Sequence, residues 1–255
     1  MARPKRIIST LQLFNSLTKL LPLKTLILFD VDGTLLYSNR NDSLSFAETY
    51  EALYQRPFPT IDWHTYPHVT DTAILQSVIG DHFGRECLGE EIEVFQDHYI
   101  ARMRAKREAD ASPYKEVPFA RETVERLLED PRFRLGIATG GWQRPAAFKL
   151  RHLSFPVDSI PLVGADHKDT RAAILQEAIA RCRQIDAHID RVVYIGDAHW
   201  DVTTTRALNL NFIGIRVKGD VELLHREGVA HVFRDYSDFG RFLEAIERAV
   251  PPEGL

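Results

Sequence analysis

The chain has 255 residues, which suits one large domain or a core with a smaller companion. With 44% apolar and 27% charged residues, 14 glycines and 13 prolines, it is neither fibrous nor low-complexity. The formal net charge is −4, and because residues 1–24 carry Arg3, Lys5, Arg6, Lys19 and Lys24 with no acid, the remainder is distinctly acidic, which argues against non-specific nucleic-acid binding. Residues 1–23 read as an extension ahead of the first strand, with an organelle-targeting or membrane-surface segment as the alternative. The apolar run TLILFD (25–30) predicts a strand buried on both faces. No apolar run approaches the roughly 20 residues needed to cross a bilayer, so no membrane partner is expected.

From residue 39 to 113 the pattern turns helical, at 43–55, 71–83 and 88–109, with no convincing strand. An all-helical insertion is predicted there. Beyond it come a helix (117–130), a strand (134–140), a short strand within 159–166, a helix (169–184), a strand (191–197), a helix (203–210) and a strand (211–216). An edge strand (230–235) and a closing helix (236–250) end the series. This alternation predicts an α/β, doubly wound parallel sheet with helices on both faces, assembled from 24–38 and 114–255. Cys87 and Cys182 are far apart and form no CxxC, which fits a reducing, cytoplasmic compartment rather than a disulfide framework.

In such a sheet, ligands bind beyond the carboxyl ends of the strands. The first strand delivers Asp30 and Asp32 in FDVDGTL, the second Thr139 in IATGG, and a later one Asp197 and Asp201 in YIGDAHWD, while Lys168 precedes a further helix. Singly, each has an ordinary explanation: DG is a common turn, Thr139 and Asp201 are plausible helix caps. Their joint occurrence at strand ends points to a site. Three converging carboxylates need a hard cation, and oxygen-only ligands favour magnesium. One carboxylate can act as a nucleophile and a second as an acid/base, while a threonine hydroxyl, backbone N–H groups and a lysine supply donors for a phosphoryl group.

On these residues the sequence resembles the haloacid dehalogenase (HAD) superfamily: DxDGT at Asp30, Asp32, Gly33 and Thr34, the second motif at Thr139, the third at Lys168, and GDxxxD at Gly196, Asp197 and Asp201. The resemblance implies a Rossmann-like HAD core. It also implies Asp30 as nucleophile, Asp32 as general acid/base, and Thr139, Gly140 and Lys168 as phosphate ligands, with Arg171 or Lys149 as alternatives to Lys168. Mg2+ would be held by Asp30, the backbone carbonyl of Asp32 and Asp197, with Asp201 as a further ligand or an orienting partner. The insertion resembles the smaller helical cap of the phosphoglycolate phosphatase and β-phosphoglucomutase branch, and the short stretch from Thr139 to Lys168 leaves no room for a cap of the other type. Two departures stand out. Pro118-Phe119 replaces a usual Pro-Gly, and Gly140-Gly141 stands where a polar residue often follows the threonine.

His68, Thr70 and Asp71 resemble a cap segment that faces the active site, although Thr70 or Asp71 as a helix cap accounts for them equally. His64 and His68 are spaced as a zinc pair, but Pro67 between them opposes a helix. The basic run Arg102, Arg104, Lys106 and Arg107 is either a solvated helix face or a contact for an anionic substrate. The expected activity is a magnesium-dependent phosphatase acting on a small phosphorylated metabolite through an aspartyl-phosphate, with no obligate protein partner. A phosphomutase is the nearest rival, and a catalytically silent binding module the rival from another class.

Overall fold

The computed structural model describes residues 24–37, 40–110, 114–216, 219–220 and 222–254. The basic extension, and with it the targeting alternative, lies outside the described residues. The first strand, β1 (Lys24–Phe29), leads into a two-residue strand, β2 (Leu36–Tyr37). Three helices follow, α1 (Asn41–Tyr54), α2 (Asp71–Phe83) and α3 (Gly89–Ala109), before β3 (Lys115–Glu116) pairs antiparallel with β2. The β2–β3 ladder closes the neck through which the chain leaves the core and returns. The helical patterns of the sequence match these three helices closely. The neck does not show in the sequence, because two residues per strand leave no readable alternation.

The chain then alternates. It runs α4 (Ala120–Glu129), β4 (Phe133–Ala138), α5 (Gln143–His152), β5 (Leu162–Val163), α6 (Arg171–Ile185), β6 (Ile189–Gly196) and α7 (His199–Ala207). It ends with β7 (Asn211–Ile215), α8 (Glu222–Arg226), β8 (Val232–Phe233) and α9 (Phe239–Arg248). The six strands order β5-β4-β1-β6-β7-β8, and every pairing is parallel. The expected doubly wound sheet is therefore present, with β1 at its centre.

Because successive side chains of a strand face opposite ways, Leu26 and Leu28 enter the core on one side of the sheet and Ile27 and Phe29 the core on the other. All four are fully buried, and each such side chain stabilises the fold by about 1.5–3 kcal/mol relative to exposure. The first of these cores is continuous with the interior of the helical insertion. Trp142, fully buried after β4, stacks on Phe46 of α1 at 5.7 Å and approaches Phe95 of α3 at 5.6 Å.

One expectation shifts. The helix read at 203–210 begins at His199, because the Asp201 carboxylate accepts the N–H of Ala198 (3.1 Å) and that of Asp197 (3.2 Å), capping the helix from within its first turn. Phe119, in the place of the usual glycine, sits at φ 64 immediately before α4. Cys87 and Cys182 are both free thiols. No helix among the described residues is long and apolar enough to cross a membrane.

Candidate active site

β1 runs straight into Asp30, whose backbone N–H donates to the Ile195 carbonyl at 2.9 Å, so the nucleophile candidate is pinned to both β1 and β6. Its side chain is 2% exposed. Asp32, two residues on, leaves its side chain 45% exposed and reachable from the cavity. Gly33 then turns the chain at φ 86, and a Cβ there would lie 2.1 Å from Asp197 Oδ2. A glycine is therefore required twice over, for the backbone conformation and for the approach of the two carboxylate-bearing loops.

β6 delivers Asp197, and α7 delivers Asp201 from its first turn. Asp201 is fully buried. Its Oδ1 accepts from Arg171 Nη1 (2.8 Å) and the Tyr194 hydroxyl (3.1 Å), and its Oδ2 takes the two backbone N–H groups already described. With four donors on two oxygens, Asp201 braces the loop that carries Asp197. Oxygens of Asp30, Asp197 and Asp201 lie within 4.8 Å of one another. Burial, reinforced by Asp201 and opposed by Arg171, raises Asp30 to about 8. Burial, reinforced by Asp201 and Asp30, pushes Asp197 well above the usual carboxylate range. Hard oxygen donors, two of the three residues buried and three acids set against the Arg171 guanidinium, fit a divalent cation such as Mg2+.

Thr139 follows β4 and is buried, its Oγ1 accepting the Gly141 N–H at 3.2 Å. At Gly140 a Cβ would meet Arg171 Nη2 at 2.6 Å. The bare backbone thus lets the guanidinium reach the cavity.

The cation expected at Lys168 is corrected. Lys168 Nζ pairs with Glu177 at 2.6 Å and donates to the Asp166 carbonyl at 2.9 Å, and it does not line the cavity. Arg171 does line it, with Nη1 3.4 Å from Asp30 Oδ1. The physical reason is where α6 begins: Thr170 caps it, accepting the Ala173 N–H at 3.3 Å, so Arg171 occupies its first turn beside the site. Lys168 lies ahead of the cap, after His167 has turned the chain at φ 57.

Lys149 of α5 is also drawn in. Its ammonium, 5% exposed, is bidentate to Asp32 (2.7 and 2.6 Å) and contacts Asp42 Oδ2 of α1 at 2.7 Å. Burial works against its charge, but Asp32 and Asp42 outweigh it and hold the lysine above its ordinary value. Asp42 escaped the sequence reading, since an acid in a helix's first turn has an ordinary capping role.

From the insertion, Thr70 caps α2 and donates to the Asp169 carbonyl at 3.2 Å. The Asp71 N–H donates to the Gly140 carbonyl at 2.9 Å, and Asp71 Oδ2 accepts the Trp142 N–H at 2.9 Å. Burial raises Asp71 to about 7. Thr70 and Asp71 line the cavity, whereas His68 is exposed and does not. Arg102 and Lys106 pair with Glu48, and Arg104 and Arg107 face a separate hollow beside α5, so the basic run stays out of the site. The cavity itself is about 150 Å³, and its lining includes Asp30, Asp32, Thr139 and Arg171 together with the aromatic side chains of Phe46, Trp63 and Tyr99.

Comparison with known proteins follows the same lines. A family model described as haloacid dehalogenase-like hydrolase matches residues 24–209, well over half of the chain. Comparison with curated protein sequences finds no match. Among solved structures, a hydrolase from Pseudomonas syringae shares 23% identity over 88% of this chain and 99% of its own, with a TM-score of 0.56. "A predicted phosphatase" from Clostridium acetobutylicum shares 20% identity over 88% of this chain and 100% of its own, at 0.60. A β-phosphoglucomutase from a hyperthermophilic Pyrococcus shares 14% identity over 88% and 99%, at 0.53. At these identities the three structures speak to the fold.

Proposed function

Since the chain belongs to the haloacid dehalogenase-like hydrolases, we propose that it is a phosphatase cleaving the phosphate monoester of a small metabolite through an aspartyl-phosphate. The reading is carried by one observation: Asp30, Asp32, Thr139 and Arg171 line one small cavity, and Asp197 and Asp201 bring their carboxylates within 4.8 Å of Asp30.

Asp30 attacks phosphorus while Asp32 gives a proton to the departing alcohol oxygen. Asp32 then takes a proton from the water that attacks the phosphorylated Asp30. The Thr139 hydroxyl, the Gly140 N–H and Arg171 donate to the phosphoryl oxygens, where charge spreads in the transition state. Mg2+ would be held by Asp30, the Asp32 carbonyl and Asp197, with Asp201 as brace, and it would neutralise the charge gathered on the phosphoryl group and the acids. Neither a nucleic acid nor a second protein is needed for this chemistry.

A second reading, phosphoryl transfer within one sugar phosphate, is supported by the insertion's close packing over the site, since Asp71 and Thr72 both bond to Trp142. Product analysis separates the two. The deciding experiment screens phosphate monoesters with and without Mg2+, using wild type and Asp30→Asn. Phosphate release that requires both Mg2+ and Asp30 is expected, and release that survives Asp30→Asn overturns the reading.

A further inference from the structure

The cavity's charges are paired unevenly. Arg171 stands at the phosphoryl end, beside Asp30. Lys149 is the only other Lys or Arg among the described residues lining the cavity, and three short contacts, two to Asp32 and one to Asp42, occupy its ammonium. Among the described residues, no unpaired cation remains there to receive a negative group on the alcohol side of a substrate. Acids, by contrast, are in excess. Four carboxyl groups, Asp30, Asp32, Asp42 and Asp71, line the cavity against these two cations, and Asp71 engages its Oδ2 on the Trp142 N–H alone. Desolvated carboxylates short of counter-charge are costly, and a cation carried by a ligand would recover that cost. Trp63 and Tyr99 line the adjoining wall, and aromatic faces attract cations.

Resting on the phosphatase reading above, we propose that the preferred substrates are small phosphate monoesters whose alcohol carries an ammonium group, received by Asp42 and Asp71 against Trp63 and Tyr99. Esters of acidic alcohols are rejected, because their carboxylate would face Asp32, Asp42 and Asp71 with Lys149 already engaged. Burial raises both Asp42 and Asp71, and a cation between them favours their ionised forms. The bond changes are those of the parent reaction. The P–O bond to the amino alcohol breaks, the alcohol oxygen takes its proton from Asp32, and water supplies the oxygen and proton that release inorganic phosphate.

The test compares kcat/KM for three esters of similar size in the presence of Mg2+: O-phosphoethanolamine, propyl phosphate and 2-phosphoglycolate. In the wild type the ammonium ester should exceed the neutral one by about tenfold or more, and the acidic ester should be the poorest. Asp42→Asn should bring the ratio of the first two towards one, whatever it does to the rate they share, since both undergo the same phosphoryl chemistry. Trp63→Leu, which leaves the acids in place, should narrow the same ratio and serves if Asp42→Asn does not fold. Parity between ammonium and neutral esters, a preference for phosphoglycolate, or a ratio unmoved by Asp42→Asn overturns the inference and leaves the phosphatase standing. Failure of all three esters and of p-nitrophenyl phosphate overturns the phosphatase reading and this inference with it.

Discussion

Asp30 and Asp32 differ in burial as their proposed roles require: one is sunk at the end of β1, the other open to the cavity. Asp30→Asn should abolish turnover. Asp32→Asn should cost on the order of 100 to 10,000-fold on an alkyl phosphate and distinctly less on an aryl phosphate, whose leaving group needs little protonation; equal losses on both would assign Asp32 another role. The cations give a second contrast. Arg171→Met should lower kcat by about 100-fold or more, the scale of losing a transition-state donor, whereas Lys168→Met should cost less than about tenfold. Steady-state kinetics of the two variants checks the correction directly. The acids were legible in the sequence because they follow strands at short, fixed spacings. Which cation faces them was not, because that depends on the residue at which α6 starts. Asp42 was hidden for a related reason: only the folding of α1 over α5 brings it to Lys149.

At the scale of the element, most strands and helices could be read from periodicity, whereas α5 and the short α8 could not, and other departures fall where chain ends and turns decide. Phe119 enters α4 in the left-handed region, a conformation that costs a non-glycine residue about 1–2 kcal/mol. Phe119→Gly should therefore stabilise the protein by about 0.5–1 kcal/mol, after the greater freedom of glycine in the unfolded chain is deducted, as urea unfolding would measure. Asp186, just past α6, accepts from Lys24 of β1 at 2.9 Å and from the His188 N–H at 3.1 Å, and pairs with Arg134 of β4 at 2.7 Å. The Lys24 ammonium foremost, with His188, holds Asp186 well below the usual carboxylate range. A carboxyl depressed on folding contributes stability above its unfolded value, near pH 4, and loses it as pH falls towards the folded one. Asp186→Asn should be less stable than wild type at pH 6, with the gap closing below about pH 4.

Taken whole, the molecule joins its insertion to its core through shared interior as well as through the β2–β3 neck. Thr72 of α2 accepts from Trp142 Nε1 at 2.8 Å and donates to the Ala165 carbonyl at 2.7 Å, with all of these groups buried. Thr72→Val strands a donor and an acceptor and should cost about 1–3 kcal/mol. Because Trp142 packs against Phe46 and Phe95, that loss should shift one cooperative transition, coincident by far-UV circular dichroism and tryptophan fluorescence. Separate transitions would show that the insertion unfolds on its own. The central position of β1 carries a further consequence, for the order in which the protein is built. β1 leaves the ribosome ahead of both of its sheet neighbours, β4 and β6, which come after the whole insertion. The helices of the insertion make local contacts and can form while β1 still waits for its partners. Asp30 and Asp32 are thus synthesised long before Asp197 and Asp201, and the nascent chain exposes an incompletely paired apolar strand until β6 is made. Sheltering TLILF during that interval is a task for the helices next to it or for a chaperone.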